Sequence, residues 1–546
     1  MADAQQLMIA DAQDDDIDAW LMTNLAADWG KRLLMLAELK QFKDGSETIG
    51  KVSTPANIRP DAAPVYRQMR SIGTLNLARR ISESVSDRQR PNGFRKVGNN
   101  ERRDTKADDM YRQCRMDMLL RRFMFPETAD YGESFVFVGP GRGGRYVSAV
   151  SPWNCHMSDD QDTAVLYTFD ARNKMERMEL FRIDWGDEDT SRAEVTEPKR
   201  VYSRMAFREG DRSVCDPGDD EQVSEFVEKG VAWSPGTDWQ WSDEGEIEYD
   251  YARDEGCLPI VRDSTPDGKG LFEPHLDTLK RIDRQIFDRL CISMMQAFRQ
   301  RAVKGTLPTT YTEEDAEVLN GTANAGDPIN LSETFATGPA AVWNLPDGVE
   351  IWESQTTDFS TLQNTINADI KHLAATAGIP LDILSPDVQG SASGAELKRE
   401  TLRFKVENMN DLAAEAIVRI IRMALRVSGS PPVEGDEFEL MWKPMASMSS
   451  LELTQAAQLA YQSGLMSRRT ALTKFYGFTA QDIAEDESSR MYDQLVLTDE
   501  SGSSNTVMTG AVPAANGWDQ SSGGAVNGVP DLEDDGFSAD DGSEMG

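Results

Sequence analysis

The sequence predicts an α+β subunit of several parts, and three observations carry that expectation. Segments with apolar residues at helical spacing flank a central stretch of short alternating runs. Two long helical runs bracket an insert rich in glycine and proline. A third run, residues 394–427, contains no proline and is about three times the ordinary helix length. At 546 residues the chain exceeds what one hydrophobic core usually supports.

Taken in order, residues 1–16 read as a polar, acidic arm. Residues 17–42 form a helix, because Trp20, Leu21, Leu25, Trp29, Leu33, Leu36 and Leu39 recur at helical spacing. Gly45, Gly50 and Pro55 break it. A second helix is expected over 63–89, stopped by Pro91-Asn92-Gly93, and a third over 105–125, stopped by Pro126. Strands follow at 133–138, 146–150, 164–170, 178–185 and 200–207, an antiparallel meander. Residues 208–256 read as acidic loop carrying Trp233, Trp239 and Trp241, whose acidic neighbours favour packing over base stacking. A short strand at 258–261 leads to a helix over 274–303, where Ile282, Ile286, Leu290, Met294 and Phe298 make one stripe and Gly305 suits the C-terminal cap. Residues 306–339 are turns and short elements, and a strand segment precedes a helix at 359–377. An irregular link, 379–392, then opens the long helix. A strand at 438–442 and short helices at 450–463, 467–476 and 480–495 complete the ordered part. Residues 496–546 are rich in Gly, Ser, Asn and Asp and are expected to be a disordered acidic tail.

Charge and chemistry exclude several functions. With 93 acidic against 57 basic residues the net charge is −36, so the chain repels nucleic acid on average and is no general DNA coat. A repulsive wall can still surround a polyanion while leaving it free to move. Five cysteines without a CxxC pair point to reduced thiols. No basic, apolar leader is visible, and no apolar run is long enough to span a membrane. His156, His275 and His372 are far apart, with no zinc spacing. Gly139 to Gly144 matches GxGxxG formally, but the strand-like RYVSAV follows where a dinucleotide site needs a helix. No phosphate-binding loop of the GxxxxGK[ST] kind occurs, and no element selects one carboxylate pair among the many. The chain is therefore expected not to be an enzyme and to need no cofactor or metal.

The long helix has internal structure. Ser393-Gly-Ala-Glu396 fits a capping box at its start. About 34 residues at a rise of about 1.5 Å give a rod of roughly 50 Å. Leu402, Val406, Met409, Ala413, Ala416, Ile420 and Ala424 form its apolar stripe, while Glu396–Arg399, Glu400–Arg403 and Glu415–Arg419 are spaced to pair along its sides. The charged N-terminal half is expected to meet a neighbour or a solvent channel, and the apolar C-terminal half to be buried in its own subunit.

The order of motifs over roughly residues 60–495 resembles the portal proteins of tailed bacteriophages. The resemblance starts with Asn76, Gly93 and Phe94. It continues with Tyr131-Gly132-Glu133-Ser134-Phe135-Val136 and Val150-Ser-Pro152, then Leu258-Pro259-Ile260-Val261, Gly268 to Gly270 and a helix carrying Asp283. It ends with Trp343-x-Leu-Pro-x-Gly348, Gly378-Ile-Pro380 and Ser393-Gly-Ala-Glu-Leu397. No single motif is specific; their order and spacing carry the likeness. The acidic 208–256 stretch and the long tail depart from it.

The resemblance implies a portal-like subunit: an α/β wing (17–270), a first stem helix (271–304), a small clip (305–352), a second stem helix (353–378), a tunnel loop (379–392), the long tunnel/wing helix (393–427), a wing strand region (428–449) and a helical crown (450–495). It implies a ring, usually a dodecamer, at one capsid vertex of the virion, assembled in the host cytoplasm and serving as the conduit for DNA packaging and ejection. The implied partners are further copies of the chain, the major capsid protein, the terminase large subunit, head–tail adaptor proteins and double-stranded DNA passing without sequence specificity; no membrane is involved. The implied DNA-facing residues are Asp387, Gln389, Gly390, Ser391 and Ser393, with Lys398 and Arg399 behind them, placed to touch phosphate or to pair with Glu396 and Glu400. Another virion structural protein, such as a head–tail adaptor or minor capsid protein, is the alternative; it has no need of two stem-like helices around a Gly/Pro-rich insert.

Overall fold

The structure is a computed structural model and describes residues 17–46, 72–97, 104–141, 145–186, 197–236, 238–297, 301–305, 307–329, 349–353, 358–385, 392–432, 437–443, 450–476 and 483–491. The chain divides into two units, Met1–Met445 and Ala446–Gly546. The expected arm and tail lie outside the described residues, as does the Trp343 to Gly348 turn.

In the first unit, α1 (Ile17–Asp44) buries Met22, Ala26, Trp29, Leu33 and Leu36. Trp20, expected in that stripe, is instead 59% exposed. The N-terminal end of α1 is pinned through Asp18, whose carboxylate lies 3.0 Å from both Arg182 and Arg204 and accepts from the Tyr202 hydroxyl at 3.0 Å. Of the expected helix 63–89, residues 63–71 lie outside the described residues; 73–76 are not helical, and helix α2 (Leu77–Ser86) begins anew where the Asn76 side chain caps it by accepting from the Arg79 N–H. The Pro91-Asn92-Gly93 stop is the beginning of β1 (Pro91–Lys96), antiparallel to β12 (Phe438–Trp442). Proline is tolerated there because it is the first residue of the strand.

The third expected helix is three pieces. Helix α3 (Thr105–Gln113) ends in a turn through Arg115 at φ 54°, then α4 (Met116–Leu119) runs through a π-turn at Leu120–Met124 into α5 (Phe125–Tyr131). Pro126, expected to stop the helix, sits in the first turn of α5. The wider π-turn before it relieves the clash that a proline ring makes with the carbonyl four residues back. Helix α5 ends on Gly132 at φ 86°, where a Cβ would lie 2.5 Å from the Gly268 carbonyl oxygen. Both the backbone and the close approach require glycine.

Two sheets follow. Strand β2 (Glu133–Val138) lies between β3 (Val147–Val150) and β9 (Ile260–Ser264), antiparallel to both. The second sheet is a five-stranded antiparallel meander: β4 (Cys155–Met157), β5 (Thr163–Asp170), β6 (Met175–Asp184), β7 (Arg200–Glu209) and β8 (Gln240–Glu248). The expected loop 208–256 thus contains the edge strand β8, together with α6 (Asp220–Lys229) and α7 (Asp250–Arg253). The tryptophans pack as expected. Trp239 is fully buried with its ring N–H on the Pro235 carbonyl, Trp233 meets Trp29 edge-on at 5.1 Å, and Arg204 stacks over Trp241 at 4.1 Å.

Past β9, a 3-10 turn (Glu273–His275) leads into α8 (Leu276–Ala297). Residues expected to extend this helix to 303 form β10 (Arg301–Lys304) instead, and Gly305 follows a strand rather than capping a helix. The insert carries α9 (Ala316–Leu319) and closes on β11 (Glu350–Glu353), antiparallel to β10. Then come α10 (Phe359–Ala377), α11 (Leu381–Leu384) and α12 (Ala392–Val427).

Two apolar cores organise the unit. One joins α1, α2, part of the five-stranded sheet, α8 and α10; the other joins α3, α4, α5, the β2 sheet and β12. Helix α12 enters both, with Leu402, Val406 and Met409 in the first and Ala413, Ala416, Ile417, Ile420, Ile421 and Ala424 in the second. Its C-terminal half is buried as expected. In the second unit, α13 (Ser450–Gln462) and α14 (Arg468–Tyr476) match the expected short helices, and 483–491 are helical.

Between α5 and β9 lies a buried polar chain: Ser134 to Thr128 at 2.7 Å, and Thr128 to the Asp263 carboxyl at 2.8 Å. Burial pushes the Asp263 carboxyl up to about 7, and burial does the same to Glu127, also to about 7. A folded-state value raised above the unfolded one means that this stabilisation is complete below about pH 4 and is lost as the pH rises through about 7. Asp263→Asn keeps an acceptor for Thr128 and removes the ionisation. Its unfolding free energy is expected to fall less between pH 4 and pH 7 than the parent's, by up to ~1.4 kcal/mol per pH unit. Urea titrations at each pH read this; a slope equal to the parent's would mean that Asp263 is not held protonated.

Candidate nucleic-acid interface

Helices α8 and α10 pair antiparallel. Arg281 donates to both carboxylate oxygens of Asp369 at 3.0 Å, Gln285 donates to Asp369 at 2.8 Å, and Arg289 donates to Gln363, so the partners on α10 descend as α8 ascends. Leu279, Ile282 and Ile286 face Ile366, Ile370 and Leu373 in the first core. The Arg281 guanidinium holds the Asp369 carboxyl below the usual carboxylate range. Beyond the helices the β10–β11 ribbon, in register from Arg301 opposite Glu353 to Lys304 opposite Glu350, closes the base of the insert.

The opposite face of α10 is solvent-exposed and consists of Asn364, Thr365, Asn367, Ala368, His372 and Ala375, with Lys371 among them. Asp369 is the single acid in the helix, and it is engaged by Arg281 and Gln285. In a chain of net charge −36, this is a helix face without an exposed carboxylate. Such a surface neither repels a polyanion strongly nor holds it by counterion release. The sequence reading passed over this face; the signal was one acid in 19 residues.

The start of α8 is fixed to the sheet region by Arg32 of α1. Its guanidinium bonds both oxygens of Glu273 at 3.1 Å, the Tyr131 carbonyl at 2.5 Å and the Gly268 carbonyl at 3.3 Å. Glu273 also accepts from the Gly270 N–H at 3.0 Å. The end of α10 is fixed to α12. Gly378 takes φ 67° and returns its N–H to the Ala374 carbonyl, the Ile379 N–H does the same at 2.9 Å, and Lys405 donates to the Ala377 carbonyl at 3.2 Å. A Cβ on Gly378 would stand 3.3 Å from Thr401.

Of the expected DNA-facing residues, Asp387, Gln389, Gly390 and Ser391 lie outside the described residues. Ser393 and Lys398 fall within α12, and their side chains lie outside the description. Helix α12 begins at Ala392, one residue before the expected cap Ser393, and the side chains of the expected capping box, Ser393 and Glu396, lie outside the described residues. Arg399 is exposed and pairs with Asp382 of α11 at 3.0 Å; the side chain of Glu396, one of its expected partners, lies outside the described residues. Arg403 pairs with Glu407 rather than Glu400, while Glu415–Arg419 forms as expected at 2.9 Å. Of the glycine run after β2, Gly139 donates its N–H to the Tyr146 carbonyl where β2 and β3 pair as a hairpin, and residues 142–144 lie outside the described residues. Among the described residues no group of His, Cys, Asp and Glu is placed to hold a metal, and no helix is long and apolar enough to cross a membrane.

No family model matches the chain, and no curated protein does. Solved structures do. A chain of the virion of a native gene transfer agent particle is 11% identical over 81% of this chain and 99% of its own, with a TM-score of 0.33. One from the neck of an empty particle of that kind, computed with C6 symmetry, is 13% identical over 77% and 95%, with a TM-score of 0.34. The HK97 family phage portal protein from Corynebacterium diphtheriae is 11% identical over 66% and 91%, with a TM-score of 0.25. The chain is similar to a phage portal protein.

Asp369→Ala is expected to cost about 1 kcal/mol in chemical denaturation, because it strips Arg281 and Gln285 of their acceptor at a partly exposed site. Lys371→Ala, on the exposed face, is expected to stay within about 0.5 kcal/mol of the parent. Equal effects for the two would mean that Asp369 does not lock α8 to α10.

Proposed function

We propose that the protein is a portal: copies assemble into a closed ring at one capsid vertex, and duplex DNA passes through the axial hole during packaging and ejection. The observation that carries this reading is the α8–α10 pair. It brackets the insert at the β10–β11 ribbon, turns outward a face of α10 free of exposed acid, and continues through the 379–392 link into a rod that reaches both cores. A conduit for a polyanion needs walls that do not bind it tightly and a narrow contact that does not read sequence. In this reading α8 and α10 stand around the axis. The insert meets the terminase motor before DNA entry and the head–tail adaptor proteins after it, and the polar end of the link, Asp387 to Ser391, projects towards the DNA.

Native mass measurement of the purified protein is expected to give a closed ring of about twelve copies; monomer or dimer alone would contradict the reading. Replacing Gln389 to Ser391 with bulky acidic residues is expected to block DNA packaging while leaving rings intact. Unchanged packaging in that variant would remove the link from the DNA path.

A further inference from the structure

We infer that neighbouring copies join through a charge-complementary contact in which the arginine-lined cleft beside the π-turn takes the acidic edge strand β8 of the next copy. This inference rests on the ring reading above and says which surfaces make the ring.

The chain's charge is unevenly distributed. Residues 77–125 carry 13 lysines and arginines against 7 acids, an excess of six positive charges in a chain of net −36. Three of these cations, Arg115, Arg121 and Arg122, are exposed at or beside the π-turn, where Leu120 and Met124 turn inward and Arg121, Arg122 and Phe123 outward. Arg115 and Met118 are exposed beside them, Met118 by 53% and Phe123 by 41%. Among the described residues, Arg115, Arg121 and Arg122 make no ion pair. Ser86, Asp87, Asp117, Met118, Arg121 and Arg122 line an open cleft of about 450 Å³ here, and Asp117 is occupied by the Tyr111 hydroxyl at 2.9 Å. Exposed arginine, methionine and phenylalanine without lysine is the composition of a protein interface rather than of a phosphate track.

The complementary surface is on the same chain. Strand β8 reads Gln-Trp-Ser-Asp-Glu-Gly-Glu-Ile-Glu and lies at the free edge of the five-stranded sheet. Asp243, Glu244, Ile247 and Glu248 are exposed, and Glu246 pairs with Arg200 of its own sheet. Charge along an edge discourages strand addition, so the contact is made by side chains and not by extending the sheet. Pairing β8 with its own copy would set like charges face to face. Pairing one surface with the other is head-to-tail, the kind of interface that closes into rings.

The test uses two charge-reversed full-length variants, R121E/R122E and D243K/E244K, read by native mass spectrometry at low and high salt. The altered side chains are exposed, so both variants are expected to keep the parent's circular dichroism and melting temperature. Each alone is expected to lose at least tenfold of its ring population, and the parent's rings to loosen as salt rises. Mixed together, the two are expected to assemble again with the variants alternating, since each junction then joins opposite charges; this rescue does not depend on either variant's stability. Rings of R121E/R122E as abundant as the parent's, or no recovery on mixing, overturn the inference while leaving the ring reading standing. Parent-like rings that have lost retention of a DNA duplex would reassign the cleft to nucleic acid and also overturn it. A parent that never forms rings overturns both.

Discussion

The structure turns on the guanidinium of Arg32. One planar group from α1 holds Glu273 at the foot of α8, the Tyr131 carbonyl at the end of α5 and the Gly268 carbonyl after β9. Three stretches distant in sequence meet there, and the bonds to Glu273 and Tyr131 are partly shielded from water. A bidentate arginine–carboxylate pair fixes direction as well as distance, so the angle at which α8 leaves the sheet region is set here. The glycines around it permit the approach: Gly132 comes against Gly268, and a Cβ on Gly270 would lie 2.2 Å from the Asp130 carbonyl oxygen.

From that joint the organisation runs outward along two rods. Helix α8 carries α10 through Asp369, and α10 hands over to α12 at Gly378 and Lys405. Helix α12, 36 residues and about 54 Å long, then spans the two cores. Its far end is tied to α7 and the loop after it, where Arg422 and Arg426 both reach Glu255, at 2.8 and 2.5 Å. Helix α12 is therefore a stiff element joining the first core to the second. Close-packed interiors transmit shifts rather than absorb them.

What could be read from the sequence was whatever is local. The stripe of α1, the pattern of β5 to β7, the two stem-like helices and the two-natured α12 each carry their own periodicity. What could not be read depends on a distant partner or on exposure. Strand β1 exists because Phe438 to Trp442 returns to pair with it, and Pro91 disguised it as a stop. Strand β8 has almost no buried side chains and hence no alternation to detect. Strand β10 continues a helical stripe in sequence but pairs with β11, some fifty residues later. Pro126 marked a break in α-geometry without revealing that a π-turn bridges it. In the candidate site, Arg399 pairs with Asp382, seventeen residues before it, which the turn at Gly378 brings near and which no local spacing announces. The acid-free face of α10 was legible in principle as the scarcity of acids in one helix of an acidic chain.

The central claim is that copies of this chain surround an axis with the exposed face of α10 towards it. An electron-microscopy reconstruction of the purified assembly, viewed down that axis, tests this most directly. The account predicts a closed ring whose bore admits duplex DNA and is lined by Asn364, Asn367, Lys371 and the residues between them. A closed ring with that face buried between subunits or turned to the outer rim, or an assembly with no axial hole, would contradict it.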